Sequence, residues 1–303
     1  MAGTISEFFG YRAEDKSKAS LKAVADKKCP FLGSACAKLL GRTREVSGVC
    51  AIRQKKAGSP SVICCPNRIY AEEYKMLHTI SCMSFGKELP LFAGRAAVAK
   101  AKSGGAVAVF GHGWGGELRL PKRNGVGSYF VDWVLARLDD DGQLVDFTAV
   151  EVQTIDTTGK YRDARKALIK DRSIVSDTVG FNWENVAKRI IPQLIYKGQV
   201  LQREELCKTG LYFVCPKPIY DRILTRLGGK EKIPTFPTQP AAIHFLAYDY
   251  AKASADVPFG NVVPLDVLEE HCTTVYKIQE AFSAISLPEG NVYGNAIRRC
   301  LYG

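Results

Sequence analysis

Residues 129–155 read YFVDWVLARLDDDGQLVDFTAVEVQTI, and this stretch decides the fold. Two apolar runs, 129–138 and 144–155, flank the acidic segment 139–142. Runs rich in Val, Leu, Phe and Thr and free of proline are typical of β-strands, and an Asp-Gly pair between them is the strongest short signal for a hairpin. We therefore predict a β-hairpin closed by a two-residue type I′ turn at Asp141 and Gly142.

The predicted turn fixes which residues face each other. Asp140 then pairs with Gln143, so opposed residue numbers add up to 283 and Asp132 lies across from Glu151. Opposed Cβ atoms of an antiparallel pair are roughly 5 Å apart, a separation from which two carboxylates can bind one divalent cation. Because side chains alternate along a strand, Gln153 projects from the same face. A register shift by one residue would separate the two acids.

Both acids are embedded in apolar sequence, Asp132 within FVDWV and Glu151 within AVEV. An unpaired charge is costly to bury in such surroundings, so each acid is expected to have a partner. A divalent metal ion is one candidate. The alternatives are a partly exposed edge hairpin or a salt bridge to an arginine.

The charge balance points to a polyanionic partner. The 303 residues include 42 Lys and Arg against 31 Asp and Glu, a formal net charge of +11 that favours nucleic acid. A generically basic protein is the alternative. The chain shows no signal peptide and no apolar stretch of the ~18 residues that a membrane span needs, so we expect a cytoplasmic protein without a membrane partner.

Ten cysteines are the next guide to function, because in a reducing compartment they indicate metal ligation, catalysis or burial. Cys29, Cys36, Cys50 and Cys65 lie in a turn-rich segment and offer the four thiolates of a tetrahedral zinc or iron site. Cys64 is the rival of Cys65 as fourth ligand. The alternative is a set of buried or free thiols, which is also the expected role of the dispersed cysteines.

The remaining pattern predicts a small domain followed by a large one. Residues 1–75 are expected to form a metal-stabilised four-cysteine domain, since their turn-rich sequence offers little core. Residues 76–303 are expected to form an α/β domain. The other elements predicted are helices over 13–27, 68–82, 94–102 and 160–172, one or two further helices over 182–202, and strands over 106–110 and 210–214; the pattern beyond 214 is α/β without clear elements.

Two blocks of sequence resemble known nucleases. Glu117, Asp132 and the run Glu151-Val152-Gln153 resemble the PD-(D/E)xK nuclease core, with glutamine in place of the usual lysine. These residues and seven further short segments together resemble NotI-type restriction endonucleases. The segments are FFGY at 8–11, KCPF at 28–31, GVC at 48–50, CPNR at 65–68, NW at 182–183, KR at 188–189 and PQL at 192–194.

The resemblance implies a fold and an activity. The fold would be an α/β PD-(D/E)xK core, a mixed central sheet flanked by helices, beside the four-cysteine domain. The activity would be that of a type II restriction endonuclease, a homodimer that hydrolyses double-stranded DNA at a palindromic, GC-rich site with Mg²⁺. Iron is the implied occupant of the cysteine site, although four thiolates accept zinc equally well.

The resemblance also implies roles for the acidic block. Asp132, Glu151 and the backbone carbonyl of Val152 would bind Mg²⁺. Gln153 would position the attacking water or the scissile phosphate. Glu117 would hold a water or a second metal. A metal ion suits this chemistry because it neutralises developing charge and lowers the pKa of a bound water.

Glutamine cannot supply the positive charge of the missing lysine, so a second metal or another basic residue must contribute more. The candidates by proximity in sequence lie in one predicted helical segment, whose basic face can equally be a solvated surface: Lys160, Arg162, Arg165 and Lys166. The candidates for DNA contact are Arg68, Arg119, Lys122, Arg123, Lys160 and Arg189.

Two other function classes stay open at this stage. A structure-selective DNA-repair nuclease can use the same core, and a non-catalytic, metal-stabilised DNA-binding protein can pair Asp132 and Glu151 with arginines. Cleavage of a defined DNA separates the three classes, because discrete fragments require sequence recognition.

Overall fold

A computed structural model describes residues 2–41, 43–118, 130–284 and 289–302 of the chain. The strands are β1 (Gly3–Phe8), β2 (Tyr11–Arg12), β3 (Val49–Gln54), β4 (Ser61–Ile63), β5 (Leu91–Ala93), β6 (Ala106–Gly111), β7 (Trp133–Leu138), β8 (Leu144–Val152), β9 (Thr157–Gly159), β10 (Val179–Phe181), β11 (Leu211–Pro216), β12 (Ala242–Tyr250) and β13 (Leu265–Thr274). The α-helices are α1 (Lys18–Ala25), α2 (Ala71–Phe85), α3 (Ala96–Lys100), α4 (Arg162–Asp171), α5 (Ile191–Leu201), α6 (Lys217–Leu227), α7 (Val275–Ser283) and α8 (Val292–Tyr302).

A seven-stranded mixed sheet in the order β13-β12-β11-β8-β7-β6-β5 forms the centre of the molecule. β8 is antiparallel to β7 and parallel to β11, so it lies in the interior of the sheet. Side chains of opposite faces enter different cores, as at Ala149 and Val150. Helices α5, α6 and α7 cover the Ala149 face and α2 covers the other. The chain thus has the mixed α/β architecture expected from the sequence.

The hairpin of β7 and β8 has the predicted register but not the predicted turn. Asp139 N donates to Gln143 O at 3.0 Å, and Gly142 N donates to Asp139 O at 2.9 Å, so the turn is one residue longer than the type I′ turn we predicted. A register shift between Arg137 and Leu138 compensates for the extra residue. Trp133 therefore faces Val150, as a sum of 283 requires.

The longer turn has a clear physical cause. The Asp139 carboxylate accepts hydrogen bonds from Asp141 N at 3.0 Å and Gln143 N at 2.8 Å, which favours a wider loop. Gly142 has a φ of +77°, the left-handed conformation that closes such a loop before a bulge. The prediction of a two-residue loop was wrong because the side chain of Asp139 competes with the ladder for these amides.

The N-terminal strands form a second sheet in the order β2-β1-β3-β4. Its apolar side chains, among them Ile5, Phe8 and Ile52, belong to the same core cluster as Ile190 and Leu194 next to the large sheet. This segment therefore shares its core with the rest of the molecule.

Several predicted helices are shorter or less regular than expected. The prediction for 13–27 holds only for α1, where the Ser17 side chain accepts from Ser20 N and starts the helix late. In α2, positive φ values at Glu72, Glu73 and Tyr74 interrupt the first turn. The predicted helix 182–202 begins as a π-helix at Val186–Ile190 and continues as α5.

The C-terminal third, which the sequence pattern left unassigned, completes the large sheet with β12 and β13 and covers it with α6 and α7. No described helix is both long enough and apolar enough to span a bilayer.

Candidate active site

Asp132 and Glu151 meet where β7 begins and β8 ends. Asp132 directly precedes β7, and its Oδ2 accepts a hydrogen bond of 2.7 Å from the backbone N–H of Val152. This bond fixes the Asp132 carboxylate beside the last residues of β8. The structure thus brings together the two acids that the register argument paired.

The start of β7 is held in place by aromatic packing. Trp133 is buried and contacts the rings of Tyr70 and Tyr74 at centroid distances of 5.4 Å and 5.3 Å. At Gly111 a Cβ atom would meet the Trp133 ring at 2.2 Å, so only glycine permits this approach. The packing of Trp133 therefore positions the neighbouring Asp132.

Glu151 is 9% exposed and projects from the Ala149 face of the sheet towards α5. Its Oε1 lies 2.5 Å from Nζ of Lys197, whereas its buried Oε2 has no hydrogen-bond partner among the described residues. Burial, followed by the charge of Asp132, raises the pKa of Glu151 to about 7, and Lys197 opposes the rise. Glu151 therefore has one buried carboxylate oxygen without a partner among the described residues.

Asp132 is an exposed residue on the wall of a cavity, and its carboxyl group is held on one side by the backbone of Val152. Burial raises its pKa, while the Val152 hydrogen bond and Lys197 act in the opposite direction. The cavity has a volume of about 630 Å³, and Asp132, Glu151 and Lys197 form part of its wall. The acid pair is therefore reachable from an open space, as a site that binds a substrate requires.

The remaining predicted residues of the acidic block lie around this pair. Glu117 lines the same cavity, is 66% exposed and has its Oε1 3.6 Å from Nδ1 of His112. Its charge contributes to the raised pKa of Asp132. The Gln153 side chain donates to the Thr154 carbonyl at 2.7 Å, beside a small cleft that includes Glu151.

The Val152 carbonyl lies on the side of β8 that faces Asp132. Val152 N donates to Asp132, and the next amide, Gln153 N, donates to Val214 O on the other side at 2.9 Å. An extended residue directs its N–H and C=O to the same side, so the Val152 carbonyl points towards the Asp132 side.

Among the described residues, Lys197 is a basic residue that contacts Glu151 of the acid pair, and sequence reasoning missed it. Its side chain is 14% exposed. Its burial could have been predicted from its place in α5. Leu194, Lys197 and Leu201 are spaced by three and four residues and therefore share one helix face. A lysine inside a buried apolar stripe needs a partner, which here is Glu151.

The predicted basic helical segment does not supply this charge. Arg165 is buried and donates to Ser47 O at 3.0 Å and Val46 O at 2.7 Å, so it holds the N-terminal segment. Lys160, Arg162 and Lys166 are exposed and do not line the cavity. Their solvated-face interpretation therefore fits the structure better than a place in the site.

Arg68 is the clearest correction among the predicted DNA contacts. It is fully buried, and its Nε lies 2.7 Å from Glu7 Oε1. Its guanidinium lies between the rings of Phe31 and Tyr250, at 4.6 Å and 5.6 Å from their centroids, and donates to Val263 O. A side chain that is fully buried and paired with an acid in the interior cannot reach DNA.

The other predicted DNA contacts are less constrained. Arg189 is 48% exposed, with Nη1 3.4 Å from Asp156 Oδ2, and Lys160 is exposed. Arg119, Lys122 and Arg123 lie outside the described residues.

The cysteines of the N-terminal segment lie in one region but are not arranged as a formed metal site. Cys29 and Cys50 are buried with Phe31, and Cys36 packs against them. Burial raises the pKa of Cys65 to about 12, with smaller contributions from Cys64 and Cys36. Among residues 2–41, 43–118, 130–284 and 289–302, no three His, Cys, Asp or Glu side chains lie close enough to hold a metal ion.

Lys38 lies among the cysteines of the N-terminal segment and contacts Cys64 directly. Its ammonium group donates to Cys64 O at 2.7 Å, to Val49 O at 3.3 Å and to Cys64 Sγ at 3.5 Å. The Cys64 sulfur also contacts the Cys50 carbonyl at 3.6 Å. The Cys65 sulfur also has a hydrogen bond with the backbone of Asn67, so these contacts do not decide between the two rivals for the fourth ligand.

Comparison with known proteins gives one positive finding. The family model described as "Restriction endonuclease NotI" matches residues 15–209, well over half of the 303-residue chain. No curated protein matches the chain. The matched range includes Asp132, Glu151, Lys197 and all the cysteines of the N-terminal segment. The chain belongs to the NotI family of restriction endonucleases, and is a nuclease that hydrolyses DNA.

Proposed function

We propose that this protein is a type II restriction endonuclease that cuts double-stranded DNA at a palindromic, GC-rich site with Mg²⁺, using a PD-(D/E)xK core. The observation that carries the proposal is the pair of exposed Asp132 and buried Glu151, brought together at adjacent strand ends in a chain of a restriction endonuclease family. The net charge of +11 supports a DNA substrate, since basic proteins attract polyanions.

The chemistry of the donors fits Mg²⁺. Glu151 has an orphaned buried oxygen, Asp132 lies beside it at the start of the neighbouring strand β7, and the Val152 carbonyl lies on the side of β8 that faces Asp132. Hard oxygen donors of this kind, completed by waters and substrate phosphate, are those that Mg²⁺ prefers. When bound, the ion supplies Lewis acidity and lowers the pKa of an attacking water.

The protein's own residues orient these groups. The Val152 amide holds Asp132, and the central position of β8 between β7 and β11 fixes Glu151. Gln153 and Glu117 border the pair and are proposed to position the water or the phosphate. Gln153 must then exchange its hydrogen bond to Thr154 O for one to the substrate.

The test is digestion of a sequenced DNA with and without Mg²⁺. The wild-type protein is expected to give discrete fragments only with the metal. Asp132→Asn and Glu151→Gln are expected to lower the rate by roughly 10³-fold or more, because each removes a proposed metal ligand. Asp141→Asn, at the exposed hairpin turn, is the matched control and should cut normally.

Each other outcome points to another function. Diffuse degradation would indicate a nuclease without sequence recognition, such as a repair enzyme. DNA binding without any cleavage would indicate a binding protein. Normal cutting by Asp132→Asn or Glu151→Gln would refute the assignment of the site.

A four-thiolate site of iron or zinc remains part of the proposal for the N-terminal segment. Cys29, Cys36, Cys50 and Cys65 are close enough for their charges to influence one another, although binding would have to draw them together. Elemental analysis of the purified protein tests the site. Cys50→Ser should lose the metal and Cys64→Ser should retain it; a metal-free wild-type protein of normal stability would refute it.

A homodimer is proposed because two copies related by a twofold axis match the symmetry of a palindromic site. Sedimentation of the protein on a duplex that contains one site distinguishes two copies from one.

A further inference from the structure

We propose that Lys197 supplies the positive charge that Gln153 cannot, by moving from Glu151 to the scissile phosphate when Mg²⁺ binds. The inference rests on the proposed function, since it concerns the same site. Its basis is that Lys197 Nζ lies 2.5 Å from Glu151 Oε1, whereas the neutral Gln153 side chain is engaged with the Thr154 carbonyl.

The position of Lys197 on the fold supports this role. α5 packs over the face of the sheet from which Glu151 projects, and Leu194 on the same helix face is buried in the core. The ammonium group of Lys197 therefore reaches Glu151 from the helix layer, whereas Asp132 reaches Glu151 from the start of β7. Lys197 also lines the cavity of about 630 Å³ from which a phosphate would reach the pair.

A change of partner on metal binding follows from electrostatics. Without metal, Lys197 balances the buried charge of Glu151. A divalent ion held by Glu151 would supply that neutralisation, and Lys197, whose ammonium group sits on a flexible four-carbon stem, would then be repelled from the carboxylate and free to turn away. The scissile phosphate is the anion brought into the cavity by the substrate, and lysine binds phosphate as a point charge.

The alternative is that Lys197 serves only to balance Glu151 in the folded protein. The two roles make different predictions about Mg²⁺. If Lys197 only balances charge, saturating Mg²⁺ replaces it and restores full cleavage. If Lys197 acts on the phosphate, its loss lowers cleavage at every Mg²⁺ concentration and removes a competitor for Glu151, so that Mg²⁺ binds more tightly.

The experiment compares Lys197→Met and Lys197→Arg with Lys277→Met. Lys277 is the matched control, because its Nζ is paired with Glu280 at 2.7 Å on α7 and does not line the cavity. Two quantities are measured at pH 8.5: the single-turnover cleavage rate at saturating Mg²⁺, and the affinity of the metal-free protein for Mg²⁺ by calorimetry without DNA.

Lys197→Met is expected to cut roughly 10²–10³-fold more slowly, the usual loss for one electrostatic contact to a transition state. Its Mg²⁺ affinity is expected to rise several-fold. Lys197→Arg should cut at least tenfold faster than Lys197→Met, because it keeps the positive charge. Lys277→Met should equal the wild type in both the cleavage rate and the Mg²⁺ affinity. If Lys197→Met does not fold, Lys197→Gln, which keeps a donor to Glu151, is expected to show the same loss.

The inference would be overturned if Lys197→Met or Lys197→Gln cut at the wild-type rate at saturating Mg²⁺. It would also be overturned if the cleavage rate of Lys277→Met fell as much as that of Lys197→Met. An unchanged or weakened Mg²⁺ affinity would also overturn it, since Lys197 would not compete with the metal. These results leave the proposed function intact, whereas a wild-type protein that cuts no DNA defeats the proposed function itself.

Discussion

Replacement of Arg68 by methionine tests whether this residue stabilises the fold or contacts DNA. Arg68 is 0% exposed and its partner Glu7 is 3% exposed. The substitution keeps most of the apolar stem but removes the ion pair, the bond to Val263 O and the contacts with Phe31 and Tyr250. Glu7 is left with the hydroxyl of Tyr250 as a hydrogen-bond donor.

The expected loss follows from the burial of both partners. Removing one member of a buried ion pair costs about 3–5 kcal/mol, because the other charge stays in the interior without compensation. A loss of this size lowers the melting temperature by roughly 5–8 °C in a chain of this length. The second substitution Glu7→Gln removes the orphaned charge, so the double variant Glu7→Gln/Arg68→Met is expected to recover about half of the loss.

The assay is equilibrium unfolding in urea, followed by DNA binding of the folded variants in Ca²⁺. Lys188→Met is the control, because its ion pair with Glu184 is exposed on both sides and should leave the urea midpoint unchanged. Should Arg68→Met unfold at the wild-type midpoint yet bind DNA more weakly, Arg68 would be a DNA contact and the argument from burial would be wrong.

Two further predictions concern the hairpin. The raised pKa of Glu151 means that the folded protein keeps this proton up to about pH 7, whereas the unfolded chain releases it near the ordinary value of 4.5. The metal-free protein should therefore lose stability, on the order of 2–3 kcal/mol, as the pH rises from 4.5 to 7, and thermal melts of Glu151→Gln should lack this slope. Gly142→Ala should cost about 1 kcal/mol in urea unfolding, because Gly142 has a φ of +77°; an equal midpoint would show that the loop relaxes at no cost.

The sequence predicted the hairpin register because apolar alternation fixes which face of a strand is buried. A shift of one residue would have placed Ala149 and Glu151 on the wrong side of β8. The longer turn that Asp139 imposes does not cause this shift, because the bulge at Arg137 and Leu138 accommodates the extra residue. Local pattern was therefore sufficient for the acid pair although the turn was predicted incorrectly.

Other parts of the site depend on contacts that local pattern does not encode. Lys197 reaches Glu151 from a helix that follows later in the chain, and its position is set by packing of α5 over the sheet. The burial of Arg68 depends on Glu7 from β1 and on Tyr250 from β12, far apart in sequence. The strand β12 is buried on both faces over most of its length, so it lacks the alternation that marks a strand and was not predicted, whereas the equally buried β11 was predicted over 210–214 from its composition.

The shared core of the two sheets has a practical consequence for work on this protein. Ile5, Phe8 and Ile52 fill the same apolar interior as Leu194, which lies one helical turn before Lys197. A shortened version that starts at residue 76 would leave one wall of that interior open to water and would tend to aggregate. Experiments on the acid pair therefore require the N-terminal strands, even where the cysteines themselves are not under study.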